Sequence, residues 1–214
     1  MTTRFESTLQ LTSLTPQSIA RLAPSFAKLP STAHADGTYR LRRYSVVEFE
    51  GTHLKTTGKN DFVQSGDINH FQGDVVRQFE PIDADILNSS EFFDMCSVFA
   101  AASRLPMNHE IEIHQMRITT KSEETQVAPE GIHQDGFANI AIVGVDRNNI
   151  VGGDLMLYKN NNEAPFFRKI LENGEVAMLD DSALWHNAEP IRSIVREQEG
   201  HMDVFVLTAL GAKH

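Results

Sequence analysis

Apolar and polar positions change their rhythm about halfway along the chain. Near the start, Ile19, Leu22, Phe26 and Leu29 recur at three- to four-residue intervals behind Thr15-Pro16, a good N-cap followed by a residue suited to the first helical turn. That spacing predicts a helix with one face on a core, ended by Pro30-Ser31. Residues 31–38 read as loop, residues 39–47 alternate in strand fashion, and residues 50–70 are polar and irregular. A second helix is predicted behind Asn88-Ser89-Ser90, turning Phe92, Phe93, Cys96, Phe99 and Ala100 inward and stopping near Pro106.

From residue 110 onward the rhythm is that of short strands, over residues 111–119, 138–145, 154–158, 166–171, 175–179 and 202–210. Turn signals separate them: Asp146-Arg147-Asn148-Asn149, Gly152-Gly153, Asn160-Asn161-Asn162 and Asn173-Gly174. No long helical pattern interrupts this half, which argues for an antiparallel sandwich or barrel rather than alternating βαβ units. The expected fold is mainly β with flanking α-helices. It forms one domain over residues 1–214, with helical and strand support in 1–109 and the β core in 110–214.

Composition narrows the function classes. A chain of 214 residues, 41% apolar, can bury one sizeable core but hardly two. Its net charge of −10 repels phosphate backbones and anionic lipid, so neither nucleic acid nor membrane is expected as a partner. No run approaches the ~18 apolar residues of a membrane-spanning helix. The first residues lack the apolar centre of a signal peptide, which makes the cytoplasm the default location. The single cysteine, Cys96, sits in an apolar run and reads as a buried, inert thiol.

The chemistry concentrates at His133-Gln134-Asp135. In extended backbone, residues i and i+2 share a face, so imidazole and carboxylate can grip one ion. A second copy, His34-Ala35-Asp36, lies in the predicted loop with no evident third ligand and reads as solvated surface. The copy at 133–135 precedes an apolar strand and is bracketed by Gly131 and Gly136. Downstream, His186 stands at a strand end among Asp180, Asp181, Asn187 and Glu189. Two His and one carboxylate cover one face of an octahedral ion and leave three positions open, the arrangement of oxygen-activating ferrous sites.

Several blocks taken in order resemble a known family. They are Pro129–Gly136 (PEGIHQDG), Gly152–Tyr158 (GGDLMLY) and His186–Ile191 (HNAEPI), with Tyr39–Ser45 and Asn69–Phe79 in the first half. The chain is similar over about residues 35 to 210 to the 2-oxoglutarate/iron dioxygenases that hydroxylate free aliphatic amino acids, such as bacterial L-isoleucine and L-leucine hydroxylases. The resemblance implies a double-stranded β-helix (jelly roll, cupin-like) and ferrous iron on His133, Asp135 and His186. It also implies 2-oxoglutarate and O2 as cosubstrates, succinate and CO2 as coproducts, and an amino-acid substrate, with a homodimer left open.

A buried carboxylate of 2-oxoglutarate needs a cation, for which Arg is well shaped. In many such enzymes the basic residue follows the distal His by about ten positions; Arg196 stands at plus ten and Arg192 at plus six, and Arg117 lies on a predicted strand. Family members often carry Arg just before the aspartate of the final strand, and Met202 holds that position here. For the substrate, Arg42, Arg43 and Arg77 are candidate carboxylate partners, Tyr158 and Glu130 orienting groups, and Phe137 and Trp185 apolar walls. The competing reading is a cupin-like metal-binding module that does no oxygen chemistry.

Overall fold

The computed structural model describes residues 8–66, 69–106 and 108–209. The chain begins with β1 (Leu9–Ser13), α1 (Pro16–Leu22) and a 3-10 turn (Ala23–Lys28). It continues through β2 (Arg40–Glu50), β3 (His53–Thr56), β4 (Asp61–Phe62), β5 (Arg77–Gln78), α2 (Ala84–Leu87) and α3 (Ser90–Ala102). Next come β6 (Ile111–Thr120), β7 (Asn139–Asn148), β8 (Ile150–Gly152), β9 (Leu155–Tyr158) and β10 (Phe167–Lys169). The last strands are β11 (Glu175–Asp180), β12 (Trp185–Ala188), β13 (Ile191–Ser193) and β14 (Gly200–Ala209).

Both anticipated helices form where their caps predict. The Thr15 hydroxyl accepts from the Ser18 amide at 3.1 Å, and Ser89 caps α3 by accepting from the Phe92 amide at 3.3 Å. The first α-helix does not reach Leu29, however. Pro24 offers no amide hydrogen and its ring collides with the preceding turn, so α1 ends at Leu22 and the chain tightens into 3-10 geometry. β1 was not signalled by the sequence; it is a largely exposed edge strand paired with β11.

One antiparallel sheet dominates, in the order β1-β11-β7-β14-β6-β2-β3. Strands from before residue 110 are thus part of the same sheet as those after it. The shorter groups β10-β9-β12 and β13-β8 supply the opposing layer, which gives the double-stranded β-helix. Side-chain alternation then decides which residues see which neighbour. On β6, β7 and β14, Ile111, Ile113, Val143, Val145, Phe205 and Leu207 pack against the helices, with Leu22, Phe26, Phe92 and Phe99. Phe26 and Phe205 meet edge to face at 4.9 Å between ring centres. Burying each such side chain stabilises the fold by about 2–3 kcal/mol before entropy is counted.

The opposite face of the same strands carries His114, Met116, Ile118, Ile140, Ile142, Val204, Val206 and Thr208, and these line a cavity closed from the other side by Leu155, His186 and Ala188. The thiol of Cys96 lies in the helix-side core, and burial pushes its pKa up. Among the described residues no helix is long and apolar enough to cross a membrane.

Candidate metal centre

His133 and Asp135 do not lie in a strand. The segment is nonetheless extended, because His133 and His186 exchange two backbone hydrogen bonds, of 2.9 and 2.8 Å, as an isolated antiparallel bridge. Gly131 and Gly136 bracket it at φ +79° and +83°, a backbone region other residues enter only with strain. The bridge brings the two imidazoles together at 4.3 Å between ring centres, with Asp135 between them. His133 Nε2 is 3.5 Å from Asp135 Oδ1, and His186 Nε2 is 3.5 Å from Oδ2.

Each donor is oriented from behind. His133 Nδ1–H donates to the Gly131 carbonyl at 2.8 Å, which leaves the Nε2 lone pair for a metal. Asp181, fully buried, accepts from the amides of Asp135, Gly136 and Phe137, and its Oδ1 lies 3.5 Å from His186 Nδ1. Gln64 donates to Asp135 Oδ1 at 3.2 Å. Burial opposes the charge on Asp135, but both imidazoles outweigh it and hold the carboxyl well below its ordinary range. Burial likewise pulls His133 down, yet Asp135 and Glu130 prevail and raise it to about 9. Three convergent donors whose charges are already balanced against one another fit a divalent cation, which would replace the protons they share.

A second group, Asp146, His201 and Asp203, is as close-set, but a protein cation occupies it. Arg117 grips Asp203 with two hydrogen bonds of 2.7 Å, and His201 Nε2 lies 3.0 Å from Asp146. Arg117 therefore faces away from the cavity, as expected for a residue of opposite parity to Met116 and Ile118. Arg192 and Arg196 are exposed on the surface. None of the three cations anticipated for 2-oxoglutarate lines the cavity.

The substrate-side residues divide in the same way. Arg42, Arg77, Glu130 and Phe137 line the cavity. Arg43 points to the other face of β2, where it pairs with Asp83 and Glu80. Tyr158 and Trp185 are cross-strand partners outside the lining. Residues the sequence did not single out complete the group. Arg40 Nη1 bonds Asp36 at 2.7 Å and lies 3.8 Å from Glu130, while Arg42 is 3.9 Å from Asp36. Asp36 is thus not solvated surface; it is 5% exposed and braced by Gln72 at 3.0 Å.

Arg77 donates to Gln64 Oε1 at 3.1 Å and stacks on Phe62, and Arg42 lies over Phe79. Burial and then Arg40 pull Arg42 down to about 9, a sign that the three guanidiniums are under-neutralised. His114, enclosed by Tyr44 and Phe62, is kept neutral by burial and by Arg42, and its Nδ1 has no partner.

Known proteins place this geometry. The 2OG-Fe dioxygenase family model matches residues 23–208, well over half of the chain. No curated protein matches it. Among solved structures, a bsmA homolog from Methylobium petroleophilum PM1 is similar at 25% identity and a TM-score of 0.76, covering 92% of this chain and 82% of that one. IDO from Bacillus thuringiensis superposes with a TM-score of 0.78 at 17% identity, covering 96% and 95%. The Fe(II)/α-ketoglutarate-dependent dioxygenase TqaL does so at 0.68 and 11%, covering 95% and 83%. The reading as a metal-holding module without oxygen chemistry gives way to the family match. The chain belongs to the 2OG-Fe dioxygenase family, whose members use ferrous iron, 2-oxoglutarate and O2.

Proposed function

We propose that the enzyme holds iron on His133, Asp135 and His186 and hydroxylates an unactivated C–H of a free aliphatic L-amino acid or close derivative. The iron and 2-oxoglutarate supply the oxidising power, with succinate and CO2 as coproducts. One observation carries the substrate class: beside the triad, Arg40 and Arg42 pair with two carboxylates, Asp36 and Glu130, while a third guanidinium, of Arg77, lines the same cavity and is held by Gln64. The excess positive charge suits a substrate carboxylate. Glu130 Oε2, buried with no hydrogen-bond partner, suits the ammonium beside it. A substrate carrying both charges satisfies both needs, whereas a simple acid leaves Glu130 Oε2 with only the 3.8 Å approach of Arg40 and no hydrogen bond.

The remaining wall is apolar. Phe62, Phe137, Ile140 and Val206 line the cavity near the triad and would exclude water from the reacting carbon. Screening the proteinogenic amino acids and their derivatives for substrate-dependent succinate release tests the reading. Aliphatic amino acids should couple, and their N-acetyl and ester forms should couple at least about tenfold less efficiently. Equal coupling with the corresponding carboxylic acids lacking the amine would sink the proposal.

A further inference from the structure

Four arginines line the cavity, and one of them stands apart from the rest. Arg147, near the end of β7, is the direct cross-strand partner of Met202 on β14. Its Nη2 donates to the Gly152 carbonyl at 2.6 Å, and its Nη1 lies 3.4 Å from Met202 Sδ. Among the described residues no carboxylate lies within ion-pair distance of it. Burial pulls its pKa down, only partly offset by the more distant Glu172 and Asp154, and Asp154 is itself bonded to Arg168 at 2.9 Å. The rest of its five N–H donors are left for a ligand.

The surroundings keep that end of the cavity shaped for this guanidinium. A Cβ at Gly153 would come within 2.9 Å of Met202 Sδ and 3.1 Å of Arg147 Nη1, so no larger residue fits without displacing them. Ile118, Leu155, Leu171 and Val204, which also line the cavity, are apolar, and the Asp203 carboxylate is taken by Arg117. A guanidinium in an apolar recess, without an acid of its own, is a site for a carboxylate.

The spacing says which carboxylate. His186 pairs with Leu157, and Gly153 lies four residues before it (157 − 153 = 4). Leu155 to Leu157 is extended but Gly153 turns at φ +76°, so triad level and guanidinium level lie less than ~13 Å apart along this edge. A five-carbon dicarboxylate, with a metal–oxygen bond at one end and an N–H···O bond at the other, reaches about 10 Å and fits within that span. We propose that Arg147 holds the carboxylate of 2-oxoglutarate remote from the iron. The cation absent from position 202 on the final strand is thus supplied by that position's cross-strand neighbour. This assignment rests on the family's cosubstrate and not on the identity of the oxidised substrate.

The test is anaerobic binding to the Fe(II)-loaded protein, read from the visible charge-transfer band and by calorimetry. Two ligands are compared: 2-oxoglutarate, and 2-oxobutyrate, which chelates iron alike but has no second carboxylate. In Arg147→Leu, the Kd of 2-oxoglutarate should rise by about 10- to 100-fold, while that of 2-oxobutyrate stays within about twofold. Arg192→Leu and Arg196→Leu should bind both ligands as wild type does. The assignment fails if Arg147→Leu binds 2-oxoglutarate normally, or if it weakens both ligands equally.

Discussion

The two His-x-Asp copies share a spacing and part company in their backbones. At 34–36 the chain turns: the Gly37 amide bonds back to the His34 carbonyl at 2.9 Å, leaving His34 half-buried against Phe79 and Asp36 buried among arginines. At 133–135 the chain is held extended by the His133–His186 bridge and by three amides donated to Asp181. Only the second copy points both side chains at one place. A two-residue spacing becomes a convergent donor set when something outside the motif straightens it and presents a third donor. The copy that turns has a different task, that of neutralising Arg40 and Arg42.

The sharpest way to break this contrast is to remove a triad donor. His133→Ala should abolish the Fe(II)–2-oxoglutarate absorption band and the coupled turnover; a band that survives would reassign the metal. A smaller but measurable effect is expected from Asp36→Asn, which leaves two buried guanidiniums short of a counter-charge. It should cost about 3 kcal/mol in denaturant unfolding and leave the absorption band in place. The pH dependence has a definite sign. Burial tends to raise the Asp36 pKa, but Arg40, Arg42 and Gln72 hold it below the ordinary 3.8. Its contribution is therefore complete above about pH 4 and lost as pH falls through the lower folded value, a step Asp36→Asn should lack. His34→Ala should change stability by no more than about 0.5 kcal/mol in the same unfolding assay and leave metal binding untouched.

Much of the fold was legible because helix and strand rhythms differ, and the triad was legible because glycines and a distal His marked it. The supporting residues were hidden for particular physical reasons. Arg42 and Arg43 are adjacent letters on one strand, and parity sends one to the cavity and the other to Asp83. The sequence alone left that parity open, since Val46 and Val47 are both apolar. Asp180 and Asp181 are likewise adjacent: one bonds Ser182 at the surface, and the other anchors the metal segment.

Gln64, Asn69 and Gln72 fall in a stretch without periodicity, where no pattern assigns a direction. Arg147 was read as part of a turn because Asn148-Asn149 follows it. In the structure β7 runs on to Asn148, and a register shift opposite Asp203 and Val204 reverses the parity of its end, which turns the guanidinium into the cavity.

β14 lies between β6 and β7 in the large sheet, with one face on the helices and the other on the cavity. Both of its ladders join segments far apart in sequence, so each closes a long loop before any pairing energy is returned. Such closures are slow, so the docking of this strand is an expected slow step in folding. Before it happens, the cavity lacks the wall formed by Val204, Val206 and Thr208. In kinetic terms, the pocket cannot close before this strand joins the two halves of the sheet, β1-β11-β7 and β6-β2-β3.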